Sequence, residues 1–447
     1  MKLNEKSRTK SLRILIISFC CAVMLLSLIQ GSSAMAQGAA RGGRGGVGFG
    51  GGRGGQMATP ADGKFAVTVQ EAANGSVKLN PALPEDGRVA AGTVLTLTAT
   101  PDEGYVLDCS YHSGLGGGMF AANVEYPDPE IKITVDKNMT IGASFIKVSE
   151  VTNLNIINNV NYAKPGKKQL KYDVFSPKGV KNLPCIVIIH GGGWTSNCED
   201  VMRGLGRELA KDGKYVAISI DYRWAQTVDG DEKPNTMANL IEDCYGAIAH
   251  IQEHASEYSV DPTRLAVTGD SAGGHLSAAV INMVDMIGDE GFGVKPGVFQ
   301  YKPTYMPKDK TVEQVRKEIT AAIKAAAPSY GVFANLNTYS NDPAADRSWT
   351  EAVSPINHIP DVKDRAVPQF LTRGTNDSLI RHENVQAYAE ALKAKGQIVE
   401  YLQPEGASHA FFDWKVDTRT KATFAQYGVP YAAKMKDFFD TVYYPKK

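Results

Sequence analysis

The chain has 447 residues, with 48 basic and 48 acidic side chains. Removal of the first 36 residues, which have the pattern of an export signal, would leave 43 basic and 47 acidic side chains. A mildly acidic protein is a poor partner for a nucleic-acid polyanion, so we expect no nucleic acid as a ligand.

The N-terminal segment has the order of a secretory signal. Five basic side chains within the first 13 residues precede an apolar run from Ile14 to Ile29, and small residues follow up to Ala36. This order predicts a signal peptide over residues 1–36 and a secreted or periplasmic protein with no membrane contact after cleavage. A membrane anchor is the alternative, because the apolar run is long for a signal.

Residues 37–60 are predicted to be a flexible linker. Gly38 to Gln56 are nearly all glycine, with three arginines between them, and such a stretch buries too little apolar surface to fold. An arginine- and glycine-rich arm that binds nucleic acid is the alternative by composition, but it does not suit an exported protein.

Residues 61–148 read as a small all-β module. Short alternating runs are separated by turn residues, which predicts strands over 65–69, 75–79, 93–99, 131–135 and 140–145. The module shows no catalytic cluster. We therefore favour a spacer or stabilising appendage over a glycan-binding role.

Residues 149–447 alternate strand and helix patterns, which predicts a mostly parallel sheet with helices on both faces. The expected strands cover 169–174, 185–190, 215–221, 265–270, 323–328, 368–374 and 398–403. The expected helices cover 202–211, 236–258, 272–286, 312–321, 383–395 and 430–442.

Ser271 is the expected nucleophile. It lies in Gly269-Asp270-Ser271-Ala272-Gly273, between a strand pattern and a helix pattern. The small neighbours allow a sharp turn that exposes the hydroxyl, and the helix N-terminus faces any negative charge that develops there. A plain glycine turn is the alternative for this motif alone.

A glycine loop follows the second strand pattern, in His190-Gly191-Gly192-Gly193-Trp194. Three successive glycines leave backbone N–H groups bare, and such donors stabilise an oxyanion. A merely flexible loop is the alternative. The presence of Ser271 about eighty residues later favours the oxyanion interpretation.

An acid and a histidine are expected at the carboxyl ends of the last two strands, in that order. Asp377 and His409 have these places. Of the rivals, His275 is interpreted as a packed helix residue and Asp270 as structural. His382 follows the acid by only five residues, which leaves little chain to bring it back to Ser271.

The cysteines and the ligand patterns give weaker signals. Cys109, Cys185, Cys198 and Cys244 lie outside the signal segment, and export permits disulfides. Cys198 with Cys244 is the first pairing to examine, although Cys185 and Cys244 have the pattern of core residues. No metal-site spacing is visible, so neither a metal nor another cofactor is expected.

Two parts of the sequence resemble known families. The segment from Gly92 to Tyr105, closed by Ala143-Ser144-Phe145, resembles divergent InlB B-repeat modules, with Cys109-Ser110-Tyr111 where a tryptophan is usual. Residues 150–445 resemble α/β-hydrolase esterases of the hormone-sensitive-lipase-like and BD-FAE (acetyl and feruloyl esterase-like) groups. The motifs that carry this second resemblance are the glycine loop, Asp221-Tyr222-Arg223, Asp261 to Ala266, Gly269 to Leu276, and Ser354-Pro355-Ile356.

The esterase resemblance implies an α/β-hydrolase sandwich behind a small N-terminal all-β domain. It implies a triad of Ser271, Asp377 and His409, and an oxyanion hole made of the amides of Gly192, Gly193 and Ala272. One departure is Arg373-Gly374, where the family usually has His-Gly before the turn of the acid. Asp413 is therefore the alternative acid.

The expected function is a secreted serine carboxylesterase. Its substrates would be short-chain acyl or hydroxycinnamoyl esters, either small molecules or esters linked to plant polysaccharide. A serine peptidase or amidase on the same fold, and a non-catalytic surface or glycan-binding protein, are the alternatives. The aromatic segment 288–310 follows the helix after Ser271, so we expect either a cover over the site or a surface loop.

Overall fold

A computed structural model describes residues 60–113, 123–230, 233–334, 336 and 347–446. The predicted signal peptide and almost all of the predicted linker lie outside these residues. Residues from Ala58 to Lys447 form one compact unit. No helix among the described residues has both the length and the apolar character needed to cross a membrane.

Residues 64–147 form eight strands. In chain order they are β1 Lys64–Val69, β2 Gly75–Asn80, β3 Arg88–Ala90, β4 Val94–Pro101, β5 Tyr105–Ser113, β6 Asn123–Tyr126, β7 Glu130–Thr134 and β8 Met139–Lys147. They build a five-stranded sheet of order β3-β1-β8-β5-β6 and a three-stranded antiparallel sheet of order β2-β4-β7. The alternating apolar residues of both sheets meet in a shared core that includes Phe65, Leu97, Ile133 and Ile141. We call residues 64–147 the β-module.

Three of these strands were not predicted. β3 has only three residues, and β6 has only four. In β5 three successive residues, Cys109 to Tyr111, are buried. Its burial therefore does not alternate from residue to residue as in a strand with one exposed face.

An eight-stranded sheet follows from Leu154 onward. Its strands are β9 Leu154–Ala163, β10 Leu170–Pro177, β11 Leu183–Ile189, β12 Val216–Ile220, β13 Val260–Asp270, β14 Ile323–Ser329, β15 Gln369–Thr372 and β16 Val399–Leu402. Their order is β16-β15-β14-β13-β11-β12-β10-β9. The six strands from β11 to β16 are parallel, and β10 pairs antiparallel with both of its neighbours.

Helices cover this sheet. They are α1 Arg203–Ala210, α2 Met237–Glu253, α3 Ala272–Asn282, α4 Val312–Ala322, α5 Arg347–Ala352, α6 His382–Ala394, α7 Thr418–Thr423 and α8 Val429–Tyr443. Short 3-10 turns cover Val148–Glu150, Glu199–Met202, Val284–Met286 and Pro355–His358, and Phe424–Gly428 is a π-helical turn. The predicted α/β sandwich with an all-β N-terminal part is therefore confirmed.

The two faces of the large sheet contact different cores. In β11, Cys185, Val187 and Ile189 belong to one apolar cluster, while Ile186 and Ile188 belong to the other. This alternation follows from the two-residue period of a strand, and burial on both faces explains why β11 is apolar throughout. Because strands β11 to β16 run in the same direction, their carboxyl ends lie on the same side of the sheet.

Strand β9 was missed, and two helices were predicted too long. β9 contains four asparagines, and Asn159 has a positive φ of 60° at an irregular part of its pairing, so the strand looks like a turn in the sequence. α2 ends at Glu253 and α3 at Asn282, because the next residues, His254 and Met283, leave the helical region of φ and ψ.

Candidate active site

Ser271 occupies a sharp turn between β13 and α3. Its backbone has φ 51° and ψ −112°, a region that costs a non-glycine residue free energy and is typical of functional sites. A Cβ on Gly269 would lie 2.4 Å from the carbonyl oxygen of Ile189, and one on Gly273 would lie 1.9 Å from that oxygen. The glycines on either side of Ser271 are therefore required because β11 approaches so closely.

The structure brings the three predicted triad residues together. Nε2 of His409 lies 3.0 Å from Oγ of Ser271, and Nδ1 of His409 lies 2.8 Å from Oδ2 of Asp377. The Asp377 side chain is fully buried, and that of His409 is 16% exposed. This arrangement orders the groups as hydroxyl, imidazole and carboxylate, with the hydroxyl end accessible.

The Asp377 carboxylate is held on both oxygens. Oδ1 accepts hydrogen bonds from the amides of Leu379 and Ile380 at 2.8 and 2.9 Å, while Oδ2 faces His409. Burial by itself would raise the pKa of Asp377, but the His409 hydrogen bond and these two amides outweigh it and lower the pKa. An ionised Asp377 only accepts, so the proton of neutral His409 lies on Nδ1 and Nε2 is free to accept one.

Arg373, the departure from the family pattern, holds the turn that carries the acid. Its Nε donates to the carbonyl oxygen of Ile380 and its Nη2 to that of Asp377, both at 2.6 Å. The guanidinium is nearly buried. Because the planar guanidinium of Arg373 donates to two carbonyl oxygens of the same turn, it restrains the backbone of Asp377. These hydrogen bonds do not involve the Asp377 carboxylate.

The glycine loop after β11 has the unusual backbone that its sequence suggests. Gly192 and Gly193 have positive φ of 118° and 61°, and Trp194 has φ 62°. No residue in the described part of the chain accepts a hydrogen bond from the amides of Gly192, Gly193 or Ala272. Because Ala272 is the first residue of α3, its amide has no partner within the helix, as is usual at a helix N-terminus.

Asp270 ties the glycine loop to the nucleophile's strand. Its Oδ1 accepts from the amide of Gly191 at 2.5 Å, and its side chain is buried. The structural role expected for Asp270 therefore corresponds to a specific contact, which holds the loop directly beside Ser271.

The motif Asp221-Tyr222-Arg223 also supports the loop, a role the sequence did not reveal. Oδ1 of Asp221 lies 3.3 Å from Nε2 of His190, and the Tyr222 hydroxyl donates to the carbonyl oxygen of His190 at 2.8 Å. The rings of His190 and Tyr222 stack with centroids 4.2 Å apart. The available signal was the position of this motif directly after β12, which neighbours β11.

The rival histidines lie in other environments. His275 is fully buried in α3, where Nδ1 accepts from Nε1 of Trp194 at 3.1 Å and Nε2 faces the carbonyl oxygen of Val353 at 2.9 Å. Nδ1 of His382 lies 3.1 Å from the hydroxyl of Tyr401, on which its ring stacks. The geometry therefore assigns neither to Ser271.

The alternative acid, Asp413, is buried without the contacts of a triad acid. Its Oδ1 makes no hydrogen bond with the described residues, and its Oδ2 lies 4.0 Å from Nζ of Lys415. Burial raises the pKa of Asp413 above its usual range, whereas the pKa of Asp377 is lowered. Asp377 is the acid that contacts His409.

Segment 288–310 packs on helices. The Phe292 ring lies 4.9 Å from that of Tyr301 and 4.7 Å from that of Trp349 in α5. The Thr304 amide donates to Glu242 in α2, and the Tyr301 hydroxyl donates to the carbonyl oxygen of Ala352. These contacts hold the part of the segment from Phe292 to Thr304 against α2 and α5.

The pairing named as the first to examine, Cys198 with Cys244, does not form a disulfide. Cys109, Cys185, Cys198 and Cys244 are all free thiols. Cys244 is fully buried in the apolar core beneath α2, whereas Cys198 is half-buried at the end of the glycine loop, and its sulfur lies 3.4 Å from Oδ2 of Asp200.

One group of side chains has the spacing of metal ligands. Cys198, Glu199 and Asp200 bring one sulfur and two carboxylate oxygens within 4.8 Å of one another. Basic side chains already pair with both acids, since Lys171 lies 2.8 Å from Glu199 and Arg203 lies 2.8 Å from Asp200. Each acid of this group therefore already has a basic side chain within ion-pair distance.

Two family models match the chain. Residues 172–392 match the BD-FAE family, and residues 65–149 match the divergent InlB B-repeat domain. Both resemblances that the sequence motifs indicate are confirmed.

The curated relatives include carboxylic ester hydrolases of Mycobacterium tuberculosis. LipN, a carboxylic ester hydrolase, is 31% identical over 257 residues, which are 54% of this chain and 60% of LipN. The carboxylesterase NlhH is 35% identical over 144 residues, or 32% of this chain and 41% of NlhH. The chain thus spans less than two thirds of the length of these relatives.

Solved structures that the chain is similar to include esterase 2 of Thermogutta terrifontis, phosphoramylated by tabun. It is 24% identical, with a TM-score of 0.47, and the match covers 65% of this chain and 94% of that one.

Proposed function

For a chain in which residues 172–392 match the BD-FAE family, we propose a carboxylesterase activity that runs through an acyl-enzyme on Ser271. The observation that carries this proposal is the chain of contacts from Ser271 Oγ through His409 to Asp377, beside three amides without acceptors among the described residues. The names of LipN and NlhH, both ester hydrolases, support the same reaction class.

The first half-reaction transfers the acyl group to the enzyme. Nε2 of His409 takes the proton from Ser271 as Oγ attacks the ester carbonyl, and Asp377 stabilises the resulting imidazolium. The carbonyl oxygen becomes an oxyanion that the amides of Gly192, Gly193 and Ala272 bind. Each such donor contributes on the order of 3 kcal/mol in the transition state. The tetrahedral intermediate then collapses, and His409 returns the proton to the leaving alcohol.

The second half-reaction releases the acid. A water molecule gives a proton to His409 while its oxygen attacks the acyl carbonyl on Ser271, and the same three amides bind the second oxyanion. When this intermediate collapses, the proton returns to Oγ of Ser271 and the carboxylic acid leaves. Every step uses side chains and backbone groups of this chain.

We propose short-chain acyl and hydroxycinnamoyl esters as the substrate class, including esters on plant polysaccharide. The resemblance to acetyl and feruloyl esterase-like proteins and the match to BD-FAE support this choice. Export supports a polymeric source of the ester, because plant polysaccharide lies outside the cell. The N-terminal sequence pattern supports export, with residues 1–36 removed as a signal peptide and residues 37–60 left as a linker.

Steady-state hydrolysis of p-nitrophenyl acetate and butyrate by residues 37–447 tests the activity, with Ser271→Ala measured beside it. We expect turnover that the substitution reduces by several orders of magnitude. Equal rates for the two proteins would contradict the proposal. Ethyl ferulate and acetylated xylan then test the substrate class, with release of ferulate or acetate as the readout.

A further inference from the structure

A buried carboxylate of the β-module lies between two segments that lead away from the active site. Asp108 is in β5, and its side chain is only 1% exposed. Oδ1 lies 3.0 Å from Nη1 of Arg207 and 3.5 Å from Nε of Arg203, both in α1, and Oδ2 accepts from Nε1 of Trp414 at 2.9 Å. One carboxylate therefore contacts α1 and the segment after His409 at once.

Both contacted segments are close along the chain to catalytic groups. Arg203 begins α1 ten residues after Gly193, and Trp414 follows His409 by five residues. The Trp414 amide also donates to the carbonyl oxygen of Val201 at 2.8 Å, so the two segments contact each other directly. A shift of α1 against Trp414 would therefore move the oxyanion amides relative to His409.

The packing around Trp414 leaves little freedom. The Arg207 guanidinium lies over its ring at 4.5 Å, and a Cβ on Gly204 would lie 2.7 Å from its Cε3. Phe424 packs edge-on against the same ring at 5.3 Å. Trp414 is held on several sides, and its polar Nε1 is directed at Asp108.

The β-module is joined to the large sheet by charge and by apolar packing. Glu125 in β6 accepts from Nη2 of Arg203 at 2.5 Å, and Ile146 in β8 belongs to the apolar cluster that α1 and α8 share. Burial would raise the pKa of Asp108, but Arg203 and Arg207 hold that pKa far below its usual range. A carboxylate paired in this way stays ionised in the folded protein.

We propose that Asp108 is a positioning residue of the ester-hydrolysis site, which sets the placement of the oxyanion loop relative to His409 through α1 and Trp414. This proposal rests on the proposed function. It assigns the β-module a role in catalysis beyond that of a spacer. Displacement of a catalytic group by about 1 Å costs up to about a hundredfold in rate, so small movements at this contact have measurable effects.

The test measures kcat and KM of residues 37–447 with p-nitrophenyl butyrate for Asp108→Asn, Trp414→Phe and the double variant. Asp62→Asn is the matched control, since Asp62 pairs with Arg88 on the exposed surface of the β-module. The burst of p-nitrophenol from paraoxon counts reactive serines. Dividing by this count removes any loss of folded protein from kcat.

We expect kcat per reactive site to fall about ten- to a hundredfold in Asp108→Asn and in Trp414→Phe, with KM within about threefold. The double variant should be within about twofold of Asp108→Asn, because both substitutions break the same path. Asp62→Asn should match the wild type.

An unchanged kcat per reactive site in Asp108→Asn and Trp414→Phe, with only a lower unfolding midpoint, would overturn the proposal and leave a purely structural contact. If Asp108→Asn fails to fold, Trp414→Phe alone decides, because it removes the donor to Asp108 and keeps a smaller aromatic ring in the same place. Absence of turnover and of a burst in the wild type would instead refute the proposed function.

Discussion

Oγ of Ser271 and Nε2 of His409 lie 3.0 Å apart, although 138 positions separate the two residues in the chain. Ser271 directly follows β13, and His409 follows β16, which lies at the edge of the same parallel sheet. The carboxyl ends of parallel strands lie on the same side of the sheet. The fold therefore brings the hydroxyl and the imidazole together.

The acid of the triad is tested by Asp377→Asn. We expect kcat for p-nitrophenyl butyrate to fall about ten-thousandfold, because an amide group can turn its N–H toward Nδ1 and stabilise the wrong tautomer of His409. The substitution should change the free energy of unfolding far less than it changes the activation free energy of ester hydrolysis.

Asp413→Asn is the matched control for that substitution. Asp413 is buried and lies four positions after His409 in sequence, but the hydrogen bond to Nδ1 of His409 comes from Asp377. In Asp413→Asn, kcat should therefore stay within about tenfold of the wild type. A larger loss in Asp413→Asn than in Asp377→Asn would show that the acid is Asp413.

The oxyanion loop is tested by Gly192→Ala. Gly192 has φ 118°, and a Cβ there would lie 2.4 Å from the carbonyl oxygen of Ser196, so the loop must move and its amides must turn. We expect kcat to fall about a hundred- to a thousandfold, the loss typical for one oxyanion donor.

Gly179→Ala controls for backbone strain. Gly179 has a positive φ of 73° with no atom near its Cβ position, so alanine costs about 1 kcal/mol of stability there without a clash. Its kcat should equal that of the wild type. Equal losses of kcat in both alanine variants would remove the oxyanion assignment of Gly192.

The neutral imidazole of His275 makes stability depend on pH. Burial lowers the pKa of His275 to about 4 from an ordinary value of 6.5. Between these pH values the unfolded chain binds a proton at this position and the folded protein does not, so lowering the pH favours unfolding. The loss reaches on the order of 3 kcal/mol near pH 4.

Urea unfolding of the wild type and His275→Gln at several values from pH 7.5 to 4.5 measures this dependence. Glutamine does not titrate, so the stability advantage of the wild type should shrink as the pH falls. A constant difference between the two proteins across this range would contradict the assignment of a neutral, buried His275.

The free cysteines predict a simple thiol count. Residues 37–447 contain Cys109, Cys185, Cys198 and Cys244, and no pair forms a bridge in the structure. Four thiols should react with Ellman's reagent in denaturant without reductant, and reductant should leave the unfolding midpoint unchanged. A count of two would restore a disulfide.

The sequence predicted which side chains meet at the candidate site, because each of these residues depends on a short local pattern. Ser271 needs small neighbours at the turn, and His409 needs only to follow the last strand. The acid was less certain, since Arg373 replaces the usual histidine. What the sequence could not show is that the Arg373 guanidinium holds the carbonyls of Asp377 and Ile380, a contact made within the folded turn.

Some of the missed features depend on contacts that are distant in sequence. β5 places the polar Asp108 where an alternating strand would be expected to expose it, because Arg203 and Arg207 come from another part of the chain to pair with it. For the same reason the sequence did not indicate a role for Trp414, because its Nε1 donates to Asp108 in β5 only in the folded protein. Local sequence patterns predict strands and helices. They do not predict which residue of the β-module pairs with which residue of the large sheet and its helices.

The most direct measurement of the central claim is peptide mapping by mass spectrometry after reaction with diisopropyl fluorophosphate. We expect one adduct per chain, on Ser271, that forms much more slowly in His409→Ala and is absent from Ser271→Ala. An adduct on a different serine, or equal labelling in Ser271→Ala, would contradict it.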